Sequence, residues 1–165
     1  PLSAKLGRKE LGIAAALFGA AVLFVTNFLK LQNAYVFVVF YTFAYVGIAI
    51  FSLITWAMIT DVIDDAQVHD GRRSDGTIYS VYSFARKVGQ AASSGVAGLL
   101  LSIIGYSQAT AFEPSVVNGI YHITCLAPAV GFVLLALSLA FLYPLNRKKV
   151  QENARILVEK ENEAK

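Results

Sequence analysis

A polar segment, residues 60–76, separates two long apolar stretches of this chain and holds the side chains best suited to chemistry. Its candidate metal ligands are Asp61, Asp64, Asp65, His69 and Asp70. Carboxylate oxygens are ligands that Mg²⁺ prefers, usually together with substrate phosphates. The alternative is a network of ion pairs with Arg72, Arg73 and Arg86 that latches one conformation, because an isolated surface pair contributes only about 0–1 kcal/mol.

The metal alternative corresponds to a membrane prenyltransferase, which carries an aspartate-rich motif at a helix end. That motif has the spacing D-x-x-D-x-x-x-D, and here its last acid would fall on Val68. The sequence also holds no nucleophile–base pair, no glycine-rich phosphate loop and no Cys/His zinc spacing. The polar segment therefore favours the latch, and we expect neither an enzyme nor a bound metal or other cofactor.

Two cations, Arg86 and Lys87, lie well inside the next apolar stretch, where a charge is costly in lipid and usually marks a pathway. If the helix begins at Thr77, Lys87 lies about 15 Å along it, near the bilayer midplane. If the membrane begins nearer Ser83, Lys87 can extend its amine to the interface. The sequence leaves both depths open. Arg86 points about 100° away and is expected to pair with a carboxylate of the polar segment.

The elements that must position these residues are membrane helices. Hydrophobic residues make up 56% of the chain and charged residues 15%, against about 45–50% and about 25% in soluble domains. A bilayer core of about 30 Å needs about 20 helical residues. Four stretches meet that length: Leu11–Leu31, Tyr35–Ile59, Thr77–Ile104 and Val117–Tyr143. We therefore predict an all-α membrane protein with four transmembrane helices within residues 11–143, in contact with the lipid bilayer.

The cations outside these stretches predict the orientation of the chain. They cluster before the first stretch, in the polar segment and after the fourth stretch, whereas the other two connections hold a single lysine. The positive-inside rule then places residues 1–10, 60–76 and 144–165 in the cytoplasm, with both termini on that side of a bacterial inner or plasma membrane. The same rule accounts for the basic balance without nucleic acid. Because the chain begins at Pro1 without Met, we expect a fragment whose upstream part is missing.

Two of the predicted helices carry polar stripes at helical spacing. The stripe on the second helix is Tyr41, Tyr45, Ser52 and Thr55, with Trp56 beside it, and the stripe on the third is Tyr79, Ser83, Lys87, Gln90 and Ser94. At about 100° per residue, each set shares one face. Such faces should meet each other or water rather than acyl chains.

The residues around the polar segment resemble a known family. Trp56–Asp64, Gly71–Ser80 and Tyr82–Ala91 are similar to the glycoside–pentoside–hexuronide:cation symporters, the melibiose-carrier relatives within the major facilitator superfamily. That family typically reads W-A-M-x-x-D-x-x-D-Y-x-E, then G-x-R, then Y-S-x-x-S-F-x-R-K-x-G-Q. This chain has Asp65 where the family has Tyr, and Gln67 where it has Glu. The four stretches would be helices nine to twelve of a twelve-helix fold.

The resemblance implies part of a secondary active transporter for sugar:cation symport. The family's coupling lysine falls on Lys87. The expected sugar-cavity wall comprises Lys87, Gln90, Tyr41, Tyr45, Ser52 and Trp56, and the expected cytoplasmic gate comprises Asp61, Asp64, Arg72, Arg73 and Arg86. The cation site, for Na⁺ or H⁺, is expected in the missing N-terminal half, so this piece would be inactive alone. The alternative from another class is a non-catalytic membrane scaffold or partner subunit.

Overall fold

The computed structural model describes residues 6–31 and 33–163, and this part of the chain is helical with no strand. Its helices are α1 (Arg8–Leu29), α2 (Ala34–Asp70), α3 (Asp75–Ile103), α4 (Pro114–Leu142) and α5 (Arg147–Glu163). The predicted all-α membrane fold is confirmed. Residues 1–5 and 164–165, which belong to the predicted cytoplasmic segments, lie outside the described residues.

Three of these helices, α1, α2 and α4, are long and apolar enough to cross a membrane. Helix α3 has 29 residues, or about 43 Å at 1.5 Å per residue, which is ample length. It carries the charged residues Asp75, Arg86 and Lys87. Among the described helices, α3 is not one of those that meet both the length and the hydropathy criteria for a membrane span. Of the four predicted transmembrane helices, three are therefore strongly apolar, and α3 is the predicted span that contains Arg86 and Lys87.

The polar segment differs most from its predicted form. Helix α2 continues through Asp70, and only residues 71–74 separate it from α3. The helix ends at Gly71, whose φ of 68° is left-handed and whose N–H donates to the Gln67 carbonyl at 3.0 Å. The predicted loop over residues 60–76 is thus mostly helix. The physical reason is that Ile63, only 1% exposed, keeps one face of this extension packed.

Helix α1 packs along both α2 and α4, and small residues let the three backbones approach closely. A Cβ built at Gly47 would overlap the carbonyl oxygen of Ala15, and one at Gly19 would lie 3.0 Å from the Ala44 carbonyl oxygen. Large side chains fill the space beside this crossing, and Leu23 and Phe132 belong to the buried cluster there. The tightest packing of the molecule is therefore the α1–α2–α4 core.

Helix α3 packs far less, since none of its residues is buried in the described chain. Its small residues Gly89, Gly95 and Gly98 have open space around them. Helix α5 lies against the polar end of α2. Helix α4 continues through Pro128 without a break, and Cys125 on the same helix is buried.

Candidate functional site

A cleft of about 630 Å³ lies between α2 and α3, with Leu135 of α4 at its side. Its polar and aromatic lining is formed by Ser52, Thr55, Trp56, Tyr82 and Arg86. The volume falls within the range of about 300–1,000 Å³ that small-molecule sites occupy. We refer to this space as the cleft.

Helical spacing explains why these side chains meet. Ser52, Thr55 and Trp56 stand three and four residues apart on α2, while Tyr82, Arg86 and Gly89 do the same on α3. The Trp56 ring centroid lies 6.0 Å from those of both Tyr79 and Tyr82. Gly89 adds no side chain, which leaves room beside Arg86. The arrangement offers hydroxyls, an indole face and a guanidinium to one small ligand.

Two other predicted cavity residues, Tyr41 and Tyr45, lie further along the same face of α2 and away from the polar segment. Their hydroxyls are hydrogen-bonded at 3.0 Å, and their ring centroids are 4.7 Å apart. Phe37 extends this ladder, with its centroid 5.6 Å from that of Tyr41. Tyr45 remains 41% exposed. The ladder continues the polar and aromatic surface that begins in the cleft.

Lys87 and Gln90 are exposed on α3 and do not belong to the lining of the cleft. Lys87 makes no hydrogen bond or ion pair to any residue that the structure describes. It stands 12 residues after Asp75 in a helix of 29 residues, so it lies near the middle of α3, about 18 Å from the helix start. The face of α3 that meets α2 is the Tyr82–Arg86–Gly89 face. Tyr79 of the predicted α3 stripe lies beside Trp56, whereas Lys87 and Gln90 do not line the cleft, and their place in the sugar-cavity wall stays a prediction.

A second group of polar contacts, which we call the end cluster, gathers where α2 leaves the apolar core. Arg8 of α1 forms an ion pair with Asp61, whose side chain is 3% exposed, and donates to the Ala57 carbonyl at 3.0 Å. Lys9 donates to the carbonyls of Ala140 and Tyr143 at 2.9 and 2.7 Å. A cation there is favourable, because the last carbonyls of a helix carry partial negative charge.

The outer part of the end cluster joins α2 to the start of α3. Arg73 lies 3.1 Å from Asp64 and 2.9 Å from Asp75. The hydrogen bond to Asp75 is the main reason that the pKa of Arg73 is raised above its usual value, with Asp64 adding to the effect. Arg73 also donates to the Gln67 side chain at 3.1 Å. The short connection is therefore held at both ends by one guanidinium.

Helix α5 is attached to the end cluster through one amide. Asn153 is 1% exposed and donates to an Asp65 carboxylate oxygen at 2.7 Å. Hydrogen bonds to charged groups contribute about 1.5–3 kcal/mol. Asp65, one of the two residues at which this chain departs from the family motif, thus binds the C-terminal helix.

Two expected gate residues are placed differently. Neither Arg72 nor Arg86 forms an ion pair with a carboxylate of residues 6–31 or 33–163. Asp61, Asp64 and Asp65 already have the partners Arg8, Arg73 and Asn153, and Arg86 lies in the cleft instead. Among the described residues, no group of three or more His, Cys, Asp or Glu is arranged to hold a metal ion.

Sequence reasoning missed three contributors to these sites. Arg8 and Lys9 entered it only as loop charges, although their position at the start of an apolar helix places them beside the polar end of a neighbour. Asn153 sits between Val150 and Leu157 on the apolar face of α5. A single amide side chain on an apolar helix face predicts a buried hydrogen bond, because buried polar groups are almost always hydrogen-bonded.

Comparison with known proteins gives matches over nearly the whole chain. The family model described as MFS/sugar transport protein matches residues 1–147. The chain is 35% identical over 131 residues to the uncharacterized symporter YjmB of Bacillus subtilis, covering 79% of this chain and 28% of that protein. It is 31% identical over 162 residues to the glucuronide carrier protein homolog of Escherichia coli, covering 98% of this chain and 35% of that protein.

A more distant organism supplies a further relative. The sodium-dependent lysophosphatidylcholine symporter 1 of Gallus gallus is 33% identical over 114 residues, covering 68% of this chain and 22% of that protein. The chain thus spans about a third or less of the length of the curated relatives described here. No solved structure matches it.

Proposed function

Because this chain belongs to the MFS/sugar transport protein family, we propose that it forms part of a sugar:cation symporter, contributing one wall of the sugar cavity and the cytoplasmic gate. The family and the relatives above are transporters and not enzymes, which removes the prenyltransferase alternative. The chain is part of a multi-pass membrane protein. The observation that carries the proposal is the cleft, where polar side chains gather between two helices of an otherwise apolar bundle.

In this proposal the sugar binds along the polar face of α2. The hydroxyl of Ser52 and the exposed phenol of Tyr45 hydrogen-bond sugar hydroxyls, and the Trp56 indole stacks on the apolar face of the sugar ring. Thr55 already donates to the Phe51 carbonyl at 2.8 Å, so its oxygen is left to accept. Transport then follows from rocking of two halves of a longer protein about this site.

The exposed surface of α3 is the place where we expect the rest of the longer protein to pack. Its glycines face open space, and small residues of this kind are enriched where membrane helices pack closely. Lys87 lacks a partner within the described chain, and an unpaired charge is costly in lipid. No acid occurs in the sequence between Glu10 and Asp61 or between Asp75 and Glu113. The carboxylates that pair with Lys87 and bind the coupling Na⁺ or H⁺ therefore belong to the upstream half in this proposal.

The end cluster serves as the cytoplasmic gate. Its ion pairs tie α1, α2 and α3 together at the end that the positive-inside rule predicts to be cytoplasmic. Single exposed pairs contribute little, but the Asp61 carboxylate that pairs with Arg8 is buried, and the two Arg73 pairs share one guanidinium. Both chain termini are cytoplasmic in this arrangement.

The test is uphill sugar uptake by the complete gene product with Lys87→Val. We expect the variant to lose accumulation against a gradient while it still exchanges sugar across the membrane, because cation coupling and not sugar passage is removed. Lys148→Val, an exposed lysine on α5, is the matched control and should accumulate sugar normally. Full accumulation by Lys87→Val would remove Lys87 from the mechanism. A wild-type protein that moves no sugar at all would favour the scaffold alternative.

A further inference from the structure

Arg86 is the charged residue among those that line the cleft, and its position favours the binding of an anion. It stands 11 residues after Asp75 in α3, about 16 Å along the helix, beside Ser52 and Trp56 of α2. A guanidinium remains protonated in proteins. A charge inside a membrane-spanning helix normally has a partner or contacts a substrate.

The acids closest to the cleft in sequence are already engaged. Asp61 pairs with Arg8, Asp64 pairs with Arg73, and Asp65 accepts from Asn153. The described residues that line the cleft include no carboxylate. Arg86 is therefore left to bind an anion that enters the cleft from outside this chain.

We propose that Arg86 binds the carboxylate or sulfonate of an acidic glycoside, an assignment that rests on the transport function proposed above. The planar guanidinium donates two parallel hydrogen bonds to a carboxylate or sulfonate, which fixes the orientation of the anion. The Trp56 indole, 53% exposed, offers a stacking face for the sugar ring, and Ser52 offers a hydroxyl. The three groups together distinguish an acidic sugar from its neutral counterpart.

The experiment compares methyl β-glucuronide with methyl β-glucoside, which differ only in a carboxylate against a hydroxymethyl group. Uptake of each labelled sugar is measured in cells that express the complete gene product, as wild type, Arg86→Gln and Arg86→Lys. Arg155→Gln is the matched control, because Arg155 is an exposed arginine on α5 that pairs only with Glu159 in the described chain.

We expect Arg86→Gln to raise the KM for the glucuronide by about 10- to 100-fold and to leave the KM for the glucoside within about twofold of wild type. Arg86→Lys should give an intermediate KM, since the amine keeps the charge but loses the paired donors. Arg155→Gln should behave as wild type with both sugars.

Different failures separate this assignment from the function on which it rests. If the wild type transports the glucoside and gains nothing from the carboxylate, the acidic-sugar assignment is overturned while the transporter proposal stands. Equal losses for both sugars in Arg86→Gln also overturn the assignment, since they mean that Arg86 supports the cleft structurally. If the wild type transports neither sugar nor any other glycoside, both proposals are overturned.

Discussion

The close crossing of α1 and α2 allows a graded test of the packing with three glycine-to-alanine substitutions. Each adds one methyl group to a helix, and in a helix interior alanine is favoured over glycine by about 1 kcal/mol. At Gly131 the new Cβ meets open space. Gly131→Ala should therefore stabilise the protein by up to about 1 kcal/mol.

The same methyl group meets an obstacle at the other two positions. At Gly19 it would lie 2.9 Å from Phe132 Cε2 and 3.0 Å from the Ala44 carbonyl oxygen, so small shifts of the ring and the neighbouring helix should nearly cancel the propensity gain. At Gly47 it would overlap the Ala15 carbonyl oxygen. A backbone atom cannot rotate away, which places the strain near the upper end of the range of about 1–3 kcal/mol for overpacking.

The expected order of stability is Gly131→Ala, then wild type and Gly19→Ala together, then Gly47→Ala about 2 kcal/mol below wild type. The assay is the free energy of unfolding of the purified protein, from denaturant titration in mixed micelles. If Gly47→Ala were as stable as Gly131→Ala, α1 and α2 would not approach as closely as described, and the packing argument would be wrong.

Two further predictions concern the end cluster. Arg8→Met leaves the buried Asp61 carboxylate unpaired and should lower the free energy of unfolding by about 3–5 kcal/mol. Adding Asp61→Asn to this variant should restore at least about 2 kcal/mol of that free energy. If the losses of the two single variants simply added in the double variant, the unfolding titration would contradict an ion pair between these residues. Asn153→Ala removes the hydrogen bond that attaches α5, so limited proteolysis within α5 should accelerate about tenfold or more. The neighbouring substitution Glu152→Ala changes an exposed residue and should leave the cleavage rate unchanged; equal rates for both variants would show that Asn153 does not hold the helix.

Much of the fold could be predicted because the length and the apolar composition of a stretch identify a membrane helix in the sequence. The predicted start of the second helix at Tyr35 differs from the observed Ala34 by one residue. Its end could not be found in the same way. Polar residues end a predicted span, yet they do not end a helix. Three carboxylates after Ile59 stay helical and are paired, two with residues of neighbouring helices and Asp64 with Arg73 of the connection.

The partners within the site were harder to predict than the residues themselves. Ser52 and Trp56 were expected in the cavity and lie in the cleft. For the two adjacent cations the residue spacing predicted that Lys87, and not Arg86, shares the polar stripe of α3. A rotation of about 100° about the helix axis decides which of the two faces α2. Arg86 and not Lys87 has that orientation. The rotation of α3 about its own axis is set by tertiary packing, and neither the composition nor the spacing of the residues predicts it.

The unbroken course of α2 has a mechanical consequence. Its 37 residues make a rod of about 55 Å, nearly twice the thickness of a hydrocarbon core of about 30 Å. Ser52 and Asp65 lie on this rod about 20 Å apart. A ligand that swings the rod by about 10° around Ser52 would displace Asp65 by about 3 Å, enough to detach it from Asn153. A stiff helix of this kind would transmit a movement at the sugar site to the cytoplasmic side of the membrane, because no loop interrupts it.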